Sequence, residues 1–188
     1  AGAAGAAAFA LTGCGDDEDS GSDKLADKRV GAMDDYGVGK QFKATKPLTF
    51  SIMMLSNPAY PYKKDWPIWA ELTKRTNVTL DVVEVPHADY NQKRSVMISG
   101  GQAPMIIPKT YPPDEEQYVA GGAIVPVSDY LDLMPNFKKQ LEEWNLKSDI
   151  DQRRQADGKY YILPGLHENV WQDYTLGARL DILEKLNI

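Results

Sequence analysis

Hydrophobic and polar positions divide the chain near Pro47. Before it, the continuous apolar stretch is the small-residue run Ala1 to Ala10, and a long polar segment follows. After it, apolar positions recur in regular patterns. Leu48 to Leu55 alternates at first and then runs apolar, which predicts a strand buried on both faces. Ser56 to Tyr62 holds turn-formers and two tyrosines and reads as a loop. Asp65 is the expected N-cap of a helix with Pro67 in its first turn, Trp66, Trp69 and Leu72 on its apolar face, and its end at Asn77. These tryptophans, and Trp144 further on, read as core.

The β-branched run Val78 to Val85 predicts a second strand stopped by Pro86. Asp89 with Gln92 has the spacing of a capping box, opening a helix to about Ser99 that Gly100-Gly101 closes. Met105-Ile106-Ile107 predicts a short third strand, Pro108 to Pro112 a loop, and Pro113 to Ala120 a short helix. Strand and helix alternate through this region, which predicts an α/β fold with a mostly parallel sheet and crossover helices. Beyond it, Ser128-Asp129 is placed as the cap of a helical turn to Met134. Pro135 starts a helix carrying Phe137, Leu141 and Trp144. Asp157-Gly158 between two strand-like runs predicts a hairpin. Trp171 to Leu180 reads as strand-like, and Asp181 as the cap of a last helix through Leu186.

Composition narrows the picture. The hydrophobic fraction is 43% and the charged fraction 26%, as in soluble globular proteins. A net charge of -6 lacks the basic face that nucleic acid requires, so no nucleic-acid partner is expected. With one cysteine there is no internal disulfide and no cysteine-based zinc site. His87 and His167 are too far apart for a local metal motif, and no His-Glu-x-x-His, phosphate loop or Gly-x-Ser-x-Gly occurs. Asp149 with Asp151, or Glu115 with Glu116, has the residue types of a glycosidase carboxylate pair. Adjacent acids of this kind read as a solvated face. The run Asp16 to Asp19 lacks the alternating ligands of an EF-hand. No cofactor and no metal site is expected.

The start of the chain carries a local signature. Leu11-Thr12-Gly13-Cys14 follows the apolar run and precedes Gly15 to Asp23, a polar stretch. It resembles a bacterial lipobox, in which the cysteine thiol is acylated and the chain is cut before it. On that reading residues 1–13 are the end of a signal peptide whose first part is missing. Residues 14–46 are then a lipidated Cys14 and a flexible tether, and residues 47–188 are the folded part. As a coil, the tether would span about 30 Å end to end. No later stretch is long and apolar enough to cross a membrane, so attachment rests on Cys14.

From Lys46 onward a series of segments resembles the extracellular solute-binding lipoproteins of ABC importers, in the branch that binds sugars or oligosaccharides. They are Asn57 to Tyr62, Arg75 to Val78, Ile98 to Pro104, Gly121 to Val127 and, above all, Ala156 to Pro164. In one departure, Met105 stands where the family commonly has an Asp after the proline. The resemblance implies two α/β lobes of the periplasmic-binding-protein type, with ligand in the cleft between them. It implies a chain roughly twice this long, cut short here so that the second lobe is largely missing. The implied partners are a sugar or oligosaccharide, ABC permease subunits and the membrane that holds the lipid. The protein is expected to be a monomer with no chemistry of its own, on the extracytoplasmic face of the cell membrane.

In open α/β sheets ligands bind beyond the carboxyl ends of the strands. That places Asn57, Tyr60 and Tyr111 at the binding edge, with Tyr62 and Lys109 beside them. His167, Glu168 and Trp171 follow Pro164-Gly165 as a second cluster. Aromatic rings suit the apolar faces of sugars, and planar amide, carboxylate or guanidinium groups suit their hydroxyls. Arg179 reads as a surface ion pair. Two other functions fit the same residues: a surface-anchored carbohydrate-active enzyme, and a binding protein for peptides or another solute.

Overall fold

In the computed structural model, residues 29–168 and 177–187 are described. The expectations for Cys14 and Trp171, for the signal and for the first part of the tether fall outside them. Strand β1 (Leu48–Ser56) pairs in parallel with β2 (Val78–Pro86) in the register Leu48 to Val78 through Ser56 to Pro86. On the other side of β1, the Met53 N–H donates to the Ile106 carbonyl at 2.9 Å. The Ile106 N–H donates to the Ser51 carbonyl at 3.0 Å. This is one parallel bridge, Ile52 with Ile106, where a third strand was expected. Pro104 and Pro108 explain it: each lacks an N–H, and between them only three residues can reach the ladder.

Helix α1 (Pro67–Thr76) connects β1 to β2. A 3-10 turn (His87–Asp89) and α2 (Tyr90–Ser99) connect β2 to the Ile106 segment. Met53, Val85 and Tyr90 form the buried centre, with Leu55, Val83 and Ile107 packed on it. The core thus sits in the carboxyl half of the sheet. Most other β1 side chains are half-buried, so the strand is not buried on both faces along its length. Beyond the sheet come α3 (Glu116–Val119), a 3-10 segment (Val127–Leu133), α4 (Pro135–Glu143), α5 (Lys147–Asp151) and α6 (Leu180–Leu186).

Several local expectations are corrected. Trp66, not Asp65, is the residue preceding α1, because Pro67 forces its predecessor into an extended conformation, here φ -59°, ψ 132°. Trp66 is therefore 38% exposed rather than core. Asp89 makes no side-chain cap, since the 3-10 turn delivers it in a helical conformation. Pro126 rather than Ser128-Asp129 precedes the 3-10 segment, and no side chain caps it. Asp181 lies inside α6, where its carboxylate takes both Arg179 donors at 2.7 and 2.8 Å, the surface ion pair expected of Arg179. Asp157-Gly158 does turn the chain, with Gly158 at φ +78°. No hairpin forms, because Gln152 and Arg153 continue the turn of α5. The Gln155 N–H donates to the Lys159 carbonyl at 2.7 Å and the Gly158 N–H to the Gln155 carbonyl at 2.9 Å, which closes the turn without a strand ladder.

Residues 29–46, expected in the tether, are docked along the amino ends of the strands. The Ala44 N–H donates to the Thr76 carbonyl at 2.8 Å, and the Asn77 amide donates back to the Ala44 carbonyl at 3.0 Å. Gly31, at φ +73°, lies where an added Cβ would stand 3.0 Å from Leu48. Tyr36 meets Phe42 edge to face. Asn136 of α4 accepts from the Gly39 N–H and donates to the Tyr36 hydroxyl. Backbone and amide hydrogen bonds hold this strap, so its low apolar content did not reveal it.

Asn77 serves both the strap and the end of α1. It sits in the left-handed region at φ 57°, and its N–H caps the Thr73 carbonyl at 2.8 Å. Asn77→Ala should lose the side-chain bond and strain the backbone, costing about 1–3 kcal/mol in urea unfolding. Asn77→Gly loses the bond but not the conformation, and should cost clearly less. Equal losses would show that the left-handed turn is not a determinant of stability.

Candidate functional site

The carboxyl ends of β1, β2 and the Ile106 segment open at one edge of the sheet. After β1 the chain turns tightly: the Asn57 carboxamide accepts the Ala59 N–H at 2.9 Å, and Asn57 bridges to Tyr60. The Asn57 side chain thus shapes the turn that lifts Tyr60, which is 66% exposed. Tyr62, Trp69 and Trp66 follow as an aromatic row. Tyr62 and Trp69 lie 5.7 Å apart, and Trp69 and Trp66 stack at 6.4 Å and 8°. The Trp69 indole N–H donates to the Lys63 carbonyl at 2.9 Å and closes the loop. Ser56, Pro58, Glu84, Pro86, His87 and Ala88 line an open groove of about 580 Å3 at the ends of β1 and β2.

The loop after Ile107 is held from below by α2. Tyr90, Arg94 and Ile98 form the buried face of that helix at a spacing of four. Arg94 is only 3% exposed. It donates to the Lys109 carbonyl at 2.8 Å and to the Asp114 carboxylate at 2.6 Å. The Tyr90 hydroxyl donates to the Pro108 carbonyl, and burial pushes its phenol up from the ordinary value. These bonds fix a loop in which Lys109 takes φ 54° and Tyr111 stands 62% exposed. An arginine at an apolar position of the helical stripe was the sequence signal for this clamp, and it was overlooked. Next to it Glu115, 3% exposed, accepts from the Gln155 amide through one oxygen at 3.1 Å. Its other oxygen has no partner among the described residues.

A second groove, of about 500 Å3, joins the end of that loop at Pro112 to α5 and to residues 164–168. His167 and Glu168 line it, so the second cluster meets the loop of the first here. Tyr60 and Asn57 are not on its wall. Asp149 and Arg153 are, and the sequence reading had not assigned either to ligand. The Arg153 Nε is shut off from solvent without a partner among the described residues, an omission that costs about 1–3 kcal/mol.

The 159–168 segment reaches this groove from the Asp157-Gly158 turn. Lys159 donates to Asp129 at 2.7 Å, and this bond raises its pKa. Arg154 binds Asp151 at 2.9 Å and the Gly158 carbonyl at 2.6 Å, with its guanidinium 5.5 Å from the centre of the buried Tyr160 ring. The Tyr161 hydroxyl donates to Asp157 at 2.6 Å. That bond pushes the phenol from 10.0 to about 12 and lowers the Asp157 carboxyl. Among the described residues, no cluster of His, Cys, Asp and Glu could hold a metal ion.

Comparison with solved structures finds similar chains among ABC-transporter solute-binding proteins. The chain is 31% identical to the S. pneumoniae ABC-transporter substrate binding protein FusA, solved in complex with kestose, with a TM-score of 0.51. The match covers 60% of this chain and 23% of FusA. The same figures hold for a FusA EF-hand mutant in complex with fructo-nystose. An HMO-binding ABC-transporter-associated solute binding protein from Bifidobacterium longum infantis is 19% identical, over 62% of this chain and 23% of that one, with a TM-score of 0.49. No family model and no curated protein matches the chain. The chain therefore resembles sugar-binding ABC-transporter solute-binding proteins in fold and sequence, and it spans about a quarter of their length.

The Tyr161–Asp157 bond makes the turn pH-sensitive at both ends. The lowered Asp157 carboxyl supports the turn above the usual Asp range, and the support fades as pH falls through its depressed pKa. The raised Tyr161 phenol supports it below pH 10, fading as pH rises through about 12. In a carbon-detected NMR titration, Asp157 should titrate below 3.8, and Tyr161→Phe should move it up toward that value. An unshifted Asp157 in the variant would remove the hydroxyl as the cause.

Proposed function

We propose that the chain forms the N-terminal lobe of a two-lobe solute-binding protein. It captures a sugar or oligosaccharide between its lobes and passes it to an ABC permease, without chemistry of its own. The observation that carries this reading is the 31% identity to FusA together with the shared fold. Physical features support it. Aromatic rings at Tyr60, Trp66 and Tyr111 stand open at the carboxyl edge, where ring faces can meet the C–H faces of a sugar. Carboxylates and imidazoles at Glu84, His87, His167 and Glu168 line the two grooves beside them and offer partners for hydroxyls.

The anchor belongs to the same proposal. Acylated Cys14 holds the protein on the extracytoplasmic face of the cell membrane. The described strap docks at the amino ends of the strands, opposite the aromatic edge, so an anchor at Cys14 is compatible with an open carboxyl edge.

The complete protein that contains this chain, titrated by calorimetry with kestose, maltotriose and a uronic-acid trisaccharide, should bind at least one with a dissociation constant of about 1 μM. The sugar should be recovered intact. Recovery of cleaved sugar would make the protein an enzyme, and no binding across the panel would refute the sugar reading. In the same preparations, Cys14→Ser should move the protein from the membrane to the soluble fraction. Retention in the membrane would contradict the anchor.

A further inference from the structure

Two adjacent arginines leave α5, and the structure uses them differently. Arg154 is engaged by Asp151, the Gly158 carbonyl and the Tyr160 ring. Arg153 lines the 500 Å3 groove with its Nε buried and unbonded, and among the described residues its guanidinium makes no hydrogen bond or ion pair. It stays unpaired although two carboxylates, Asp149 and Glu168, line the same groove. A half-buried guanidinium with an unmet buried donor costs folding free energy instead of supplying it. Its Nε is closed off, but its terminal Nη groups have no partner among the described residues and are the donors a ligand in the groove can meet.

The charges around it indicate what that is. One guanidinium stands with two carboxylates and His167, so the wall carries both fixed donors and fixed acceptors and a slight excess of negative charge. A carboxylate-bearing ligand would gain from Arg153 but meet repulsion from Asp149 and Glu168. A neutral polyol meets none, because each hydroxyl both donates and accepts. We infer that Arg153 is a ligand-contacting residue that donates to hydroxyl oxygens of a neutral saccharide, with Asp149 and Glu168 accepting from neighbouring hydroxyls.

This inference rests on the sugar-binding reading and narrows it to uncharged sugars. The planar fork of the guanidinium can serve two adjacent oxygens at once, which a lysine ammonium serves less well.

The test uses the complete protein, the two neutral trisaccharides and the uronic-acid trisaccharide already named, and two variants, Arg153→Met and Arg153→Lys. The wild type should bind a neutral trisaccharide and show no heat with the uronic-acid one. Arg153→Met should weaken neutral-sugar binding at least tenfold, and Arg153→Lys should recover part of the loss. Neither variant should lower the unfolding midpoint of the unliganded protein, since the guanidinium has no partner to lose. Unchanged affinity in Arg153→Met, or a midpoint that falls in both variants, would overturn the contact. Tighter binding of the uronic-acid sugar would overturn the preference for a neutral ligand while leaving the sugar reading intact. A wild type that binds none of the three would sink both.

Discussion

Parallel hydrogen bonding on both sides of β1 is the constraint from which the site follows. Parallel strands cannot be joined by a tight turn, so α1 and α2 must carry the chain back each time. Every return then starts from the same end of the sheet, and the segments leaving Ser56, Pro86 and Ile107 share one edge. Met53 is the point where the three segments meet. Its side chain is fully buried, and its N–H reaches the Ile106 carbonyl. The core formed by Met53, Val85 and Tyr90 lies directly beneath the edge that carries the exposed aromatics.

Each end of this layer is fastened by polar contacts. At the amino end, the strap is tied through Ala44 to Thr76 and Asn77, and through Gly39 to Asn136 on α4. At the carboxyl end, Arg94 and Tyr90 hold the 107–114 loop by its carbonyls. The turn at Asp157 is held by Arg154 and Tyr161, and Lys159 beside it by Asp129. Tyr60 and Tyr111 are lifted into solvent by segments whose backbones are fixed. Ordering is therefore already present in the loops, which lowers the entropy a ligand must overcome.

The sheet and its crossovers were legible because long apolar and β-branched runs leave little choice: β1 and β2 fall where Leu48 to Leu55 and Val78 to Val85 place them. Helix α4 likewise starts at Pro135 as its pattern indicated. What escaped was settled by groups without periodicity. Two prolines cut the third strand to a bridge. Pro67 turned Trp66 outward, and the strap rests on backbone bonds that polar sequence does not advertise. At the site, the tyrosines were legible from loop position alone. Arg94 and Arg153 were not, because an arginine in sequence does not say whether its guanidinium is clamped, paired or left unbonded. Residue chemistry left a receptor and an enzyme both open, and identity to FusA is what supports the receptor reading proposed above.

The central claim is that ligand enters at the carboxyl edge and the α5 groove, away from the strap. Hydrogen–deuterium exchange on the complete protein, with and without a bound trisaccharide, tests it most directly. The account predicts ligand-dependent protection in residues 57–66, 107–114 and 146–153, with exchange in residues 29–46 and at the amino ends of β1 and β2 unchanged. Protection confined to the strap and the amino ends of the strands would contradict it.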